Sequence, residues 1–351
     1  MIDTTSFVSD EFITTLAANA DAADTDTTWP LASWNAAKQA GVLEWAIPVA
    51  HGGREYDPVT LLAGYERIAS ACLTTAFILS QRDAAVRRIR EFGHDEMQRE
   101  LLRPLACGGR FATVGISQLT TSRQHTSPAL RASTNSDGYV LNGEMPWVTG
   151  GDLADHLVAG AVLEDGLQVL LVVPTLSPGL CIDQPLSLAA LSGSRTTAVR
   201  CTDVAVSKRW LLAGPVEKVM TGRGGTGGLE TSCLALGVAS AAIDWLLHEA
   251  ARRSEWTSLA HRFAAAQLAA RSELYRLVVG GGTPEESLTL RARANALALR
   301  STQAALTASK GAGFVRPHPT QRWARQAMFF LVWSCPRPAV EATMEYLNPL
   351  Q

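Results

Sequence analysis

The six cysteines, at 72, 107, 181, 201, 233 and 335, include no CxxC pair, and no Cys/His cluster has metal-ligand spacing. No metal site is therefore expected, and the thiols read as buried groups of a protein kept in a reducing compartment. A run of about 18 apolar residues, the minimum for a membrane span, is also missing; the nearest, Leu157 to Pro174, is broken by Glu164-Asp165-Gly166. Met1 to Thr5 has neither the basic nor the apolar segment of a signal peptide. A soluble, cytoplasmic chain is the expectation. An excess of one charge is lacking too: 31 Lys and Arg face 33 Asp and Glu, for a formal net charge of −2. That balance offers no electrostatic footprint for nucleic acid or an anionic membrane. There is no Walker sequence, no GxSxG elbow and no HExxH. Gly222-Arg223-Gly224-Gly225-Thr226-Gly227 has the letters of GxGxxG. It lacks the preceding strand and the βαβ setting that a dinucleotide site requires, so it reads as a loop. The histidines stand singly, as surface or helix-end residues, and Arg291-Ala292-Arg293 reads as the solvated face of a helix.

What is present describes a compact globular protein. The 351 residues are 47% hydrophobic and 18% charged, enough for two or three domains with a large core. Texture changes twice along the chain. Residues 1–110 carry apolar side chains at helical spacing, as in Leu61-Leu62-Ala63-Gly64-Tyr65-Glu66-Arg67-Ile68, with a turn at Ile47-Pro48-Val49-Ala50-His51-Gly52-Gly53. Residues 111–214 read as strands: Tyr139-Val140-Leu141 before an Asn142-Gly143 hairpin signal, Leu167 to Val173, and Thr197 to Val206. Residues 215–351 return to helix, with Gly280-Gly281-Gly282-Thr283-Pro284 separating two long ones. The small-residue run Leu234 to Ala242 permits close helix packing, and an assembly of dimers or a tetramer through the C-terminal helices is expected.

A series of short motifs, in order, resembles the acyl-CoA dehydrogenase family over nearly the whole chain. Ala40-Gly41-Val42-Leu43 leads through Ile47-Pro48 to Gly52-Gly53, and Phe92-Gly93 precedes Leu101 to Gly108. Gly138-Tyr139-Val140-Leu141-Asn142-Gly143-Glu144 and Trp147-Val148-Thr149 are similar to the family's GyxLNGxKxWIT, Asp203 to Val206 to its DVxVP strand, and Lys310 to Phe314 with Arg325-Gln326-Ala327 to its GGxGF and RDA. The resemblance implies an α+β, mainly α fold: an N-terminal helical domain, a central β-barrel-like domain and a C-terminal four-helix bundle. It also implies FAD, with Ser117 and Thr149 on the hydroxyls that bond the flavin ring edge and Trp147 packed against the ring. Flavin electronics are tuned by such bonds. The diphosphate side departs from the family. The TEPxxGSD stretch reads Gln118 to Gln124, RxxFG reads Arg252 or Arg253 followed by no Phe-Gly, and Thr307 and Lys310 replace a Gln and a Gly.

The usual catalytic glutamate of the family falls on Ser334, within Trp333-Ser334-Cys335-Pro336. A serine hydroxyl is too weak to remove an α proton unaided. A minority of the family carries its base at the start of an earlier helix, in a Leu-Glu pattern that resembles Leu229-Glu230 through Gly237. The resemblance thus implies Glu230 as catalytic base; without it, Glu230 is simply an acidic first-turn residue that suits the helix dipole. Three functions stay open. The first is a flavin-dependent dehydrogenase of an acyl thioester, passing electrons to an electron-transfer partner or O2. The second is a flavin monooxygenase of the same fold, and the third a non-catalytic subunit of a heteromer.

Overall fold

The computed structural model describes residues 7–120, 128–220, 229–335 and 337–347. The GxGxxG-like run and most of the segment replacing TEPxxGSD lie outside them. Helix α1 (Asp10–Thr25) starts where the Ser9 hydroxyl accepts a bond from Phe12 N at 3.2 Å. After α2 (Leu31–Gln39) comes α3 (Pro58–Ala71), begun by Asp57, which accepts from Val59 N and Thr60 N, with proline at its first position. Helices α4 (Leu73–Phe92) and α5 (Asp95–Ala106) complete the N-terminal part.

The middle of the chain forms β1 (Ala112–Gly115), a short turn of helix α6 (Ser117–Thr120), β2 (Leu130–Thr134), β3 (Gly138–Val148), β4 (His156–Val162), β5 (Gln168–Pro174), β6 (Leu180–Ile182), β7 (Thr197–Ser207) and β8 (Leu211–Val216). They make one eight-stranded sheet in the order β6-β7-β3-β2-β4-β5-β8, with β1 parallel to β4. The five middle residues of β4 and of β5 are all buried, as continuous apolar runs in a covered sheet require. One turn differs from expectation. Asn142-Gly143 does not reverse the chain but sits inside β3 at a register irregularity against β7. Asn142 Nδ2 donates to Asp203 Oδ1 and its Oδ1 accepts from Asp203 N, both at 2.9 Å, which ties the pair to β7 instead. Gly143 has φ 120°, and a Cβ there would lie 2.1 Å from Ala129 O. The β2–β3 reversal is made at Asn135–Gly138, where Asn135 Oδ1 accepts from the backbone N–H of Asp137 and Gly138.

The C-terminal part is α7 (Leu229–Ala250), α8 (Thr257–Gly280), α9 (Pro284–Ser309), α10 (Pro319–Phe329) and α11 (Arg337–Leu347). The triple-glycine break does separate α8 from α9, and Thr283 with Glu286 forms a capping box at the start of α9. Two main cores result. One joins α1, α3 and part of α4 to α7, α8 and α9; the other joins the sheet to the opposite side of α4 and to α5. The small residues of α7 are used inside the chain rather than left for a second copy: Cys233 to Ala239 are all buried, and a Cβ at Gly237 would lie 2.5 Å from Glu66 O of α3. By length and composition α7 is apolar enough to cross a membrane, yet 72% of its most apolar window is buried within the protein. The thiols divide: Cys72, Cys201 and Cys233 are buried, Cys335 is half-buried, and Cys107 and Cys181 are exposed, contrary to the expectation that all lie inside.

Candidate active site

Helix α4 is buried nearly all round, which marks it as an internal helix. Ile78, Ala85, Val86 and Ile89 face the sheet core, and Leu79 with part of Phe77 faces the helical core. The remaining face, with Ser80, Gln81, Ala84, Arg87 and Arg88 at three- and four-residue spacing, lines a cleft of about 1090 Å³. The sheet closes a second wall and α7, α9, α10 and α11 the others. All four residues nominated from the sequence, Ser117, Trp147, Thr149 and Glu230, line this cleft, as does Ser334.

On the β-domain wall, Ser117 opens α6 just after β1, and its Oγ is buried with no hydrogen-bond partner among the described residues. Leaving a buried hydroxyl unpaired costs about 1–3 kcal/mol, and this one lines the cleft, where a bound group can pair with it. Thr149, just past β3, is buried; its Oγ1 lies 3.3 Å from Thr196 Oγ1, which lies 2.9 Å from Ser194 Oγ. Trp147, on β3, keeps half of its indole exposed (51%) while lining the cleft, so the ring offers a flat apolar face. Thr196 was not recognisable in the sequence, because it reaches Thr149 only through the β3–β7 pairing.

Arg252 and Arg253, which fall on the family's RxxFG element, have contacts within this chain. Arg253 donates to Glu249 Oε2 at 2.8 Å and to Ala308 O at 3.0 Å, so it is held within its own helical region. Arg252 is two-thirds exposed and reaches Glu249 only at 3.8 Å.

Glu230 stands in the first turn of α7, as expected, but it does more than face a helix dipole. Its Oε1 pairs with Arg87 Nη2 of α4 at 2.7 Å, the two side chains being 20% and 28% exposed. Burial opposes the Arg87 charge, but Glu230, Tyr65 and Asp83 outweigh it and raise its pKa. Next to it, Arg88 is pushed down to about 10, by burial first and then by repulsion from Arg87. Arg87 was not recognisable in the sequence, because α4 also carries Arg82, Asp83, Arg90 and Glu91.

Ser334 adopts φ 46° and lines the cleft in a segment held by α9: Arg291 Nη2 donates to Trp333 O at 2.7 Å and Asn295 Nδ2 to Phe330 O at 3.0 Å. Arg291 is thus not on a solvated face but buried, with its pKa lowered to about 10 by desolvation. Phe77, Phe329 and Trp333 pack around the same end of the cleft, with ring centroids 5.0–5.2 Å apart.

Helices, sheet and helices thus enclose one cleft with hydroxyls on one wall and a paired carboxylate on another. A profile described as "Acyl-CoA dehydrogenase, N-terminal domain" matches residues 4–109. The chain is 25% identical over 336 residues to the probable acyl-CoA dehydrogenase YngJ of Bacillus subtilis, covering 89% of this chain and 88% of the relative. It is 26% identical over 326 residues to a 3-sulfinopropanoyl-CoA desulfinase of Advenella mimigardefordensis, covering 84% and 80%. The solved butyryl-CoA dehydrogenase of Megasphaera elsdenii matches its fold with a TM-score of 0.83 at 20% identity, over 99% of this chain and 98% of that one. The N-terminal third of the chain thus matches the acyl-CoA dehydrogenase family model, and most of its length is similar to proteins of that family.

Proposed function

We propose that this chain is a flavin-dependent acyl-thioester dehydrogenase in which Glu230 removes the α proton. The observation that carries the reading is that Glu230 and the three ring-edge residues, named from distant parts of the sequence, line one cleft. FAD fits its β-domain wall: the orphaned Ser117 hydroxyl and the Thr149–Thr196 pair supply hydrogen bonds, and Trp147 an aromatic face. When bound, the flavin supplies the acceptor for the hydride that leaves the β carbon. Glu230 accepts the α proton as a carboxylate and becomes neutral, so Arg87 loses its counter-charge in the same step. The aromatic wall of Phe77, Phe329 and Trp333 keeps water from the thioester carbonyl. Ser334 stands at the cleft with no basic group of its own to offer.

Electrons then pass to an electron-transfer partner or O2. Assembly into dimers or a tetramer through the C-terminal helices belongs to this reading. The apolar side chains of Phe314, Val315, Val332 and Met344, all exposed by more than half, support it in place of the α7 small residues. The free thiols suit a reducing, cytoplasmic setting. The test is the visible spectrum of the purified protein before and after excess FAD, followed by anaerobic addition of acyl-CoA thioesters. Flavin retention and bleaching support the dehydrogenase. Flavin that is retained but never bleached moves the reading to a monooxygenase, and protein that stays colourless in FAD moves it to a non-catalytic subunit.

A further inference from the structure

Charge around the cleft does not balance. Among the described lining residues, four guanidiniums, Arg87, Arg88, Arg291 and Arg325, face one carboxylate, Glu230. Three of the four have evident partners. Arg87 pairs with Glu230 at 2.7 Å, Arg325 with Asp24 at 2.6 Å, and Arg291 holds Trp333 O and Asn295 Oδ1. Arg88 is different. It is 7% exposed, and its one described hydrogen bond runs from Nη1 to Ala84 O, a turn back on its own helix, at 2.7 Å. No carboxylate among the described residues stands within ion-pair distance of it. A buried charge is ordinarily paired or neutralised, and a guanidinium with a pKa of about 10 is still charged at neutral pH. Glu230 and Glu91 act on this charge without forming an ion pair with it, and Arg88 lines the cleft with no carboxylate partner of its own among the described residues.

Position narrows what the charge is for. Arg88 and Glu230 line the same cleft, and the Glu230 carboxylate acts on the Arg88 charge. A group bound by Arg88 therefore sits in the part of the cleft that holds the proposed base. The phosphates of a CoA carrier are far from the carbon that Glu230 deprotonates and strongly hydrated, and they suit an exposed cation rather than a side chain 7% exposed.

We propose that the substrate is a short acyl thioester whose far end carries a second, negatively charged oxyacid group, a carboxylate or a sulfinate, received by Arg88. The inference rests on the dehydrogenase reading above. It assigns Arg88 as a specificity-determining residue, with a forked donor set that matches two anionic oxygens.

The test is calorimetric binding to the FAD-supplemented protein of three thioesters with equally long acyl groups: succinyl-CoA, 3-sulfinopropanoyl-CoA and butyryl-CoA. The expected result is that wild type binds at least one charged probe about tenfold or more tighter than butyryl-CoA, and the tighter of the two identifies the oxyacid. Arg88→Met should abolish that advantage, weakening the favoured charged probe about tenfold or more beyond any change for butyryl-CoA, and Arg88→Lys should keep part of it. Wild type that binds butyryl-CoA as tightly as both charged probes overturns the proposal and leaves the dehydrogenase reading intact, a result that depends on no variant folding. Equal losses for all three probes in Arg88→Met show that the guanidinium reads the CoA moiety, which also overturns it. Binding of none of the three removes both readings together.

Discussion

Replacing Glu230 with glutamine keeps the shape of the side chain and removes its charge and basicity. If Glu230 takes the α proton, the rate of flavin bleaching by a thioester should fall by about 10²–10⁴, the usual contribution of a positioned general base. At about 1.36 kcal/mol per tenfold, that is about 3–5 kcal/mol of barrier. The structure adds a second, separable effect. Arg87 loses a partner held at 2.7 Å. With both side chains between a fifth and a third exposed, the loss falls between that of a surface pair and that of a buried one, about 1–3 kcal/mol. Unfolding entropy for a chain of 351 residues is about 0.7 kcal/mol per kelvin, so the melting temperature should drop by only about 1–4 °C. The assay is stopped-flow bleaching at saturating thioester, with flavin content and melting measured on the same samples. A variant that keeps its flavin, melts within this range and bleaches at the wild-type rate would refute Glu230 as the base. Ser334→Ala should change the rate little, since that hydroxyl has no base beside it. In the Glu230→Gln background, Ser334→Glu should restore part of the lost rate by returning a carboxylate to the cleft.

Thr149→Val and Ser117→Ala should each weaken FAD retention by about 0.5–1.5 kcal/mol, up to about tenfold in Kd, read by flavin release on dilution; unchanged affinity and spectrum would remove their ring-edge role. Gly237→Val should destabilise the protein by at least about 1–3 kcal/mol, because even a Cβ would meet Glu66 O at 2.5 Å, and a melting curve identical to wild type would contradict the packing of α7 on α3. Asp57→Ala should cost about 1 kcal/mol at pH 7 through loss of the α3 cap. The hydrogen bond from the Thr60 hydroxyl, against the opposing effect of burial, holds the Asp57 pKa below its usual value. The ionised cap therefore contributes fully above about pH 4 and fades as pH falls through the lowered pKa, so the difference between variant and wild type should shrink in acid and not in alkali.

Much of the architecture was legible because the signals are local. Helical periodicity before residue 110 and after 215, continuous apolar strands such as β4 and β5, and the Thr283-Pro284 start of α9 each depend on neighbours within a turn or a pleat. The ordered motifs also nominated Ser117, Trp147, Thr149 and Glu230, which line one cleft. Local preference misled where a distant partner offered more. Asn142-Gly143 has the composition of a hairpin turn, yet its side-chain bonds to Asp203 keep it in β3, and the reversal moves to Asn135–Gly138. Arg291 looked solvated on its helix but is covered by the segment around Trp333, whose carbonyl it holds. The small residues of α7 looked free for a second copy and are filled by α3. Above all, the pairing of Arg87 with Glu230, and an Arg88 charge with no ion-pair partner among the described residues, arise only when α4 and α7 meet at the cleft. Which charges end up buried, and which of them find a counter-charge, depends on surfaces brought together from far apart in the chain, and no pattern along a single helix encodes that.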